Sequence, residues 1–571
     1  MIEYLTALPV RLALPLVLAV APYLAVRNLI PRAGEALSLA CTGAAAVALN
    51  TALLVLMDQA RVPLSPQNLA VAYWGLTLGL LVVLRLRGLP LATGRLTQDD
   101  RRLIPIALLF ALLVYPFTYL AGIDTYKWQD LASAVRVERG IPWLIHPLSL
   151  FGFTPRSYPS AQPLLLGSIQ ITGALGVDAG YYVFSLFSGL TGLLAAFALG
   201  RRLFPADGRH AVWLALFYVF SPVFMRYNHW ATGRGLFVAL FPLFLLALME
   251  LPKPGAWAGA LAMAPLLALS HKTGIVAVVL IAVSCGLLPF IPRQPSAPGL
   301  ALWLAPFLAA AILLSAPLGV PSLAGCIAGF ARGAVARFGW MLPLALLGLF
   351  AAWPVVSAPH WRRLIPGFLL SLPLAFPRDM YGALIALPFV AAAATAGLAA
   401  LGRARPAWAA VAIRAAVAAS IAGAVVIVVH RSASATPERV RAAAQFLESI
   451  DPLGPFVIDA PGGIRNQIQA YVSGCPRFDV ARGSGARINV APPPPIAGQP
   501  RERFHAWTDY LRGVLSLADT EVDWYGRWPR HYIVTLSPPD QTPPGTRLIY
   551  DRDGVRIYAS VLQPLGRRAA F

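Results

Sequence analysis

GIDTYKWQDLASAVRVERGIPWLIHPLSLFGFTPRSYPSAQPLLLG, Gly122–Gly167, is a polar and aromatic interruption between two blocks of long apolar segments. It carries Asp124, Asp130 and Glu138, three of the few acids in the first 430 residues. Hydrocarbon does not tolerate such a segment, so it belongs at a water interface or along a cavity wall. Read that way, the flanks are membrane spans and the interruption is a large loop between them.

The composition agrees. Apolar residues make up 58% of the 571-residue chain and charged residues 12%, about half the charged share of soluble domains. Apolar runs of about twenty residues recur, the length that crosses a bilayer as a helix. They fall near 10–26, 36–56, 67–85, 103–121, 180–200, 210–225, 234–250, 256–270, 273–290, 300–319, 338–353, 364–376, 381–401 and 407–430. The expected class is a polytopic α-helical membrane protein of about fourteen transmembrane helices, with 256–290 readable as one broken pair. The net charge of +21 argues for no nucleic-acid partner, because arginines at helix ends set orientation and meet anionic membrane lipids.

Only twelve of the 25 acids precede residue 431. The expected division is therefore a membrane region, 1–430, with outer loop 122–179, and a soluble α/β domain, 431–571. In that tail Thr436, Pro437 and Glu438 read as N-cap, first-turn proline and first-turn acid of a helix to about 450. Strands are expected at 455–459, 531–536, 546–550 and 555–559, the last two joined by an Asp553–Gly554 turn. An amphipathic helix is expected over 501–518.

Basic clusters orient the spans. Arg85, Arg87, Arg95, Arg101 and Arg102 mark a cytoplasmic loop. Further inside clusters are Arg201, Arg202 and Arg209, then Arg362 with Arg363, then Arg403 with Arg405. SAQPLLLGSIQITGAL (160–175) is apolar enough to suggest a span, yet counting it would invert every later cluster. It is short and flanked by Pro159 and Pro163, so it reads as an interfacial or re-entrant helix. The threading then puts 122–179 and the tail outside. It also leaves polar residues in short outer connections: Tyr227, Asn228, His229 and Arg234; His271 and Lys272; Arg332 and Arg337; Arg378 and Asp379. Cations on the face opposite the cytoplasm ask for a reason, and a shared anionic ligand supplies one.

Taken together, Asp124 in GIDTYKW, YPSAQPLLL at 158–166, GRRLF at 200–204 and the soluble tail resemble the layout of GT-C superfamily glycosyltransferases. That resemblance implies an enzyme of the cell envelope, in a bacterial inner membrane, with its site and tail extracytoplasmic. It also implies transfer from a polyprenyl-phosphate-linked sugar donor to a glycan, lipid or protein acceptor. Many relatives have no helices before the one that enters the loop, whereas three precede it here.

Glycosyl transfer to a hydroxyl needs a carboxylate to take the acceptor proton and cations to steady the departing phosphate. Asp124 is the first charge after an apolar span, so it would hang at the membrane boundary; the plainer reading is a helix cap or an arginine partner. Asp130 is a second candidate acid or a loop support, and Glu138 beside Arg136 and Arg139 reads as a solvated ion pair. For the phosphate the candidates are Arg378, Lys272, Arg234 and Arg337, against the ordinary snorkelling of helix-end cations. His229 and His271 are substrate-binding candidates too. Because some relatives use a divalent cation, they are also candidate ligands with Asp124, against a role as interfacial hydrogen-bonders. Tyr158 is a candidate to stack on sugar or isoprenoid, against the aromatic girdle of any interface. The cysteines, Cys41, Cys285, Cys326 and Cys475, show no metal-type spacing.

Two other functions stand beside this one. An O-antigen-type polymerase or ligase would share the carrier and the basic outer loops. A transporter or flippase of a lipid-linked precursor would show repeated halves and ionisable groups near mid-bilayer, where Arg414 is one charge within a span.

Overall fold

The computed structural model describes residues 16–31, 33–89, 96–114, 123–141, 147–152, 159–251, 253–287, 297–314, 322–351, 358–375, 381–432, 437–450, 456–459, 477–478, 530–536 and 546–561. The chain is a multi-pass helical membrane protein followed by a small mixed sheet. Its helices are α1 (Val17–Leu29), α2 (Glu35–Gln59), α3 (Pro66–Leu86), α4 (Gln98–Val114), α5 (Ile123–Glu138), α6 (Ala161–Gly173) and α7 (Val177–Leu203). Next come α8 (Gly208–Val219), α9 (Pro222–His229), α10 (Gly233–Met249), α11 (Pro254–Ser270), α12 (Ile275–Leu287) and α13 (Ala297–Leu314). The set ends with α14 (Leu323–Phe338), α15 (Met341–Ala351), α16 (Ala358–Ala375), α17 (Tyr381–Ala404), α18 (Pro406–Ser432) and α19 (Glu438–Ile450).

Local chemistry starts these helices. Ser65 and Ser221 each accept a backbone N–H in the first turn of α3 and α9, with proline at the first helical position. Thr97 and Asp100 close a reciprocal capping box ahead of α4, the Thr97 N–H donating to Asp100 at 2.8 Å and the Asp100 N–H to Thr97 at 3.2 Å. α10 is apolar on nearly every side and buried on nearly every side, the mark of a helix at the centre of its bundle. α7, α11, α16 and α17 pack around it.

Among the described residues five helices are individually long and apolar enough to cross a membrane: α2, α3, α7, α17 and α18. The bent pair α14–α15 raises this to six, turning by 105° at its break. Gly339 makes that bend, at φ +50°, which a side chain would resist. Here the structure corrects the sequence reading. Arg332 and Arg337 do not lie in a short connection but on α14, where Ser322 caps a run of small and apolar residues. Likewise Tyr227–His229 belong to a short helix, α9, whereas the 256–290 run is, over its described part, the broken pair that the sequence allowed, interrupted at His271. The 160–175 stretch is the thirteen-residue α6, about 20 Å long and too short to cross.

Ion pairs gather the basic clusters at one end of the bundle. Arg201 meets Asp99 at 2.6 Å and Arg102 meets it at 2.7 Å. Glu250, after α10, takes Arg202, Lys253 at 2.5 Å and His360 at 3.4 Å, and Arg363 donates to the Met249 carbonyl. Arg202, the largest cause, and Lys253 hold the Glu250 carboxyl down at about 2. Arg403 is within electrostatic reach of His210 at the same end.

α7 and α10 both run toward that end, so their first residues mark the opposite one. There Arg441 of α19 pairs with Asp178 in the first turn of α7 at 3.3 Å. Beyond α19 lies a five-stranded sheet of β1 (Phe456–Asp459), β2 (Arg477–Phe478), β3 (Arg530–Thr535), β4 (Thr546–Arg552) and β5 (Val555–Val561). The order is β2-β1-β3-β5-β4, with β1 parallel to β2 and β3, and β5 antiparallel to β3 and β4. Asp553 and Gly554, at φ +50° and +78°, make the tight β4–β5 turn. Phe446 of α19 packs on Tyr550, ring centroids 5.0 Å apart. The 501–518 helix expectation lies outside the described residues.

Candidate functional site

Two helix corners meet at the end away from Glu250. The first joins α9 to α10. Asn228 anchors it to α7: its amide donates to the Ser185 carbonyl at 2.9 Å, and Ser188 donates to its side-chain oxygen. Ala231 then takes φ +39°, an unusual angle for a residue with a β-carbon, and the chain enters α10. In the first turn of α10 the Arg234 guanidinium lies 5.5 Å from the Tyr227 ring centroid. Trp230 meets the same ring edge-on at 5.6 Å, and Arg226 sits 4.7 Å over Trp230.

The second corner joins α11 to a 3-10 turn, Lys272–Gly274. His271 breaks the helix with extended backbone, and its Nδ1 accepts the Thr273 N–H at 3.2 Å. An accepting Nδ1 means a neutral ring with its proton on Nε2. Burial, then Arg234 and Lys272 nearby, push this histidine down to about 3. Lys272 itself is exposed. Arg337 reaches the corner from the last turn of α14, within electrostatic range of Tyr227.

Gly233 locks the corners to α5. A β-carbon there would collide with the Ser270 carbonyl and the Trp128 ring, so only glycine permits this approach. Asp124 stands in the first turn of α5, one turn before Trp128. α5 is continuous through both acids, so Asp124 and Asp130 start about 120° apart around its axis. Their side chains, and all of Tyr158 and Arg378, lie outside what is described. His229 is buried with its ring edge-on to Tyr181, centroids 6.3 Å apart.

The structure thus brings Arg234, Lys272, His271 and Arg337 to one place, with Asp124's helix packed against it. Among the described residues no three histidines, cysteines and acids stand close enough to hold a metal ion, and the Asp124 side chain lies outside them.

Buried neutral polar groups behind the corners are a feature that charge-based reading misses. Gln129 of α5 and Gln170 of α6 exchange amide bonds at 3.5 and 3.2 Å, and Gln129 also donates to Ser133 at 2.9 Å. Gln162, at the start of α6, donates to the Ala231 carbonyl at 2.5 Å. The available signal was Gln162 and Gln170 in the apolar 160–175 stretch; Gln129, between Lys127 and Asp130, carried none. Arg414 is exposed on α18, where a long side chain snorkels toward headgroups; it lines no interior path.

No family model and no curated protein matches the chain. Similar solved structures include ArnT from Cupriavidus metallidurans bound to undecaprenyl phosphate, at 14% identity and TM-score 0.47, covering 81% of this chain and 98% of that one. ArnT from the same organism in the apo state gives 14% and 0.47, with 80% and 97% covered. The arabinofuranosyltransferase AftD from Mycobacteria gives 17% and 0.43, with 81% and 40% covered. These likenesses assign no residue of this chain a role.

Proposed function

We propose that the chain is a bacterial inner-membrane glycosyltransferase of the GT-C type. It transfers a sugar from a polyprenyl-phosphate carrier to a lipid, glycan or protein hydroxyl on the extracytoplasmic face. The observation that supports this best is the gathering of Arg234, Arg337 and Lys272 around Tyr227 and His271, at the end opposite the Glu250 cluster. The resemblance carried by Asp124, the 158–166 segment and GRRLF points the same way.

Depth supports a lipid-borne anion. The seventeen residues of α10 span about 25 Å, which sets Gly233 near the far edge of a hydrocarbon core about 30 Å thick. A carrier with its tail in the bilayer presents its phosphate at that level. Arginine forks and a lysine charge then neutralise the phosphate as it leaves with the electron pair of the anomeric C–O bond. The neutral His271 Nε2–H donates to an oxygen of the same group without changing charge over the working pH range. In this reading Arg378 adds a further cation and Tyr158 stacks on the sugar.

Asp124 acts as base, accepting the acceptor's hydroxyl proton as that oxygen attacks the anomeric carbon from the face opposite the phosphate. Configuration inverts. Asp130 supports the loop or serves a second acid role. The test is direct: membranes containing the chain move radiolabel from a polyprenyl-phosphate sugar into a non-carrier product, and membranes lacking it do not. Equal labelling in both would remove the transferase reading.

A further inference from the structure

Gln162 sits at the start of α6 with no exposed surface. Its amide nitrogen donates to the carbonyl of Ala231 at 2.5 Å. A flipped amide would face oxygen against oxygen, so the orientation follows from the contact. Ala231 is the left-handed residue between α9 and α10, itself buried, its N–H bonded to the Asn228 carbonyl at 2.9 Å. An L-residue holds such an angle only where its surroundings over-determine it.

Three residues later the same chain presents Arg234. Through Gln170 and Gln129, α6 is also bonded to α5, the helix that carries Asp124 in its first turn. One buried helix therefore touches both halves of the candidate site.

We propose that Gln162 is a positioning residue: its amide clamps the left-handed turn at Ala231 and so fixes where Arg234 stands against the anion. The anion rests on the transferase reading; the clamp itself does not. Gln162 touches no reacting atom in this account. It acts through the turn. Its own side-chain oxygen is buried and has no hydrogen-bond partner among the described residues, which leaves the Ala231 bond as the contact that justifies an amide at this buried position.

The experiment uses the full-length chain in lipid nanodiscs, as wild type, Gln162→Leu, Ala231→Gly and the double variant. Leucine removes the donor and keeps the bulk; glycine adopts the left-handed angle unaided. Hydrogen exchange over residues 228–236 reads the turn, and titration with undecaprenyl phosphate reads the anion site. Gln162→Leu is expected to speed exchange across the turn and weaken the lipid's binding by about tenfold, the loss of one well-made hydrogen bond. Adding Ala231→Gly is expected to restore binding to within about threefold of wild type. Unchanged exchange in Gln162→Leu overturns the clamp, as does a double variant that binds no better than the single one. Faster exchange with no lipid binding by any form, wild type included, leaves the clamp standing and refutes the polyprenyl-phosphate reading instead.

Discussion

The Arg234 guanidinium lies 5.5 Å from the centroid of the Tyr227 ring, one turn joining the helices that carry them. The ring's negative face holds the cation by a contact worth about 0.5–2 kcal/mol, and the turn between the two helices sets where the guanidinium stands.

Arg234→Ala should therefore raise the KM for the lipid-linked donor by about 10- to 100-fold, the range for a hydrogen bond to a charged group. Arg234→Lys keeps the charge, loses the fork, and should recover only part of the affinity. Donor titration of the two variants checks this; equal affinity in both and in wild type would take Arg234 out of the site.

His271 makes acid sensitivity predictable. Its folded pKa, about 3, lies below the unfolded value of about 6.5. The unfolded chain binds the extra proton first as pH drops, so this group's contribution is complete above about 6.5 and declines as pH falls toward 3. In detergent, thermal midpoints of wild type should drop over that window, and His271→Phe should flatten the drop. A variant with the same slope would show that other groups carry it.

Much of the scaffold was legible because its signal is length. Segments such as 36–56 and 381–401 are apolar over a bilayer's depth, and 455–459 (PFVID) is a short apolar run of the kind that forms a buried strand, observed as β1. α14 was missed for a physical reason: Arg332 and Arg337 divide its apolar run, so a hydropathy reading sees a loop where a capped amphipathic helix forms. Lys272, His271 and Arg234 were legible as polar groups stranded beside spans. The Gln129–Gln170 pair, the Ser188–Asn228 bond and the Gln162 clamp were not. They are neutral side chains whose importance comes from pairing across helices distant in sequence.

The tail is tied to the membrane body by Arg441 and Asp178 at 3.3 Å, each about one-fifth exposed. Asp178→Arg or Arg441→Asp alone should loosen α19 and speed proteolysis after residue 432. The double reversal should recover about 0.5–1 kcal/mol of coupling. Identical cleavage rates in all four forms would mean the pair does not hold the tail.

At the other end Glu250 binds three side chains, Arg202 of α7, Lys253 just before α11 and His360 of α16. Its lowered pKa, about 2, means its stabilisation is present above about pH 4.5 and lost as pH falls toward 2. Glu250→Gln should lower the thermal midpoint at neutral pH with donor affinity unchanged. A shift in affinity alone would contradict the separation of the two ends.

The central claim is that Asp124 takes the acceptor's proton beside the cationic corner. Its most direct test is turnover of Asp124→Asn in membranes supplied with a radiolabelled polyprenyl-phosphate sugar, at matched expression and with carrier binding measured in parallel. The account predicts a rate lower by about 10²- to 10⁴-fold with carrier binding retained. Wild-type turnover in Asp124→Asn would contradict it.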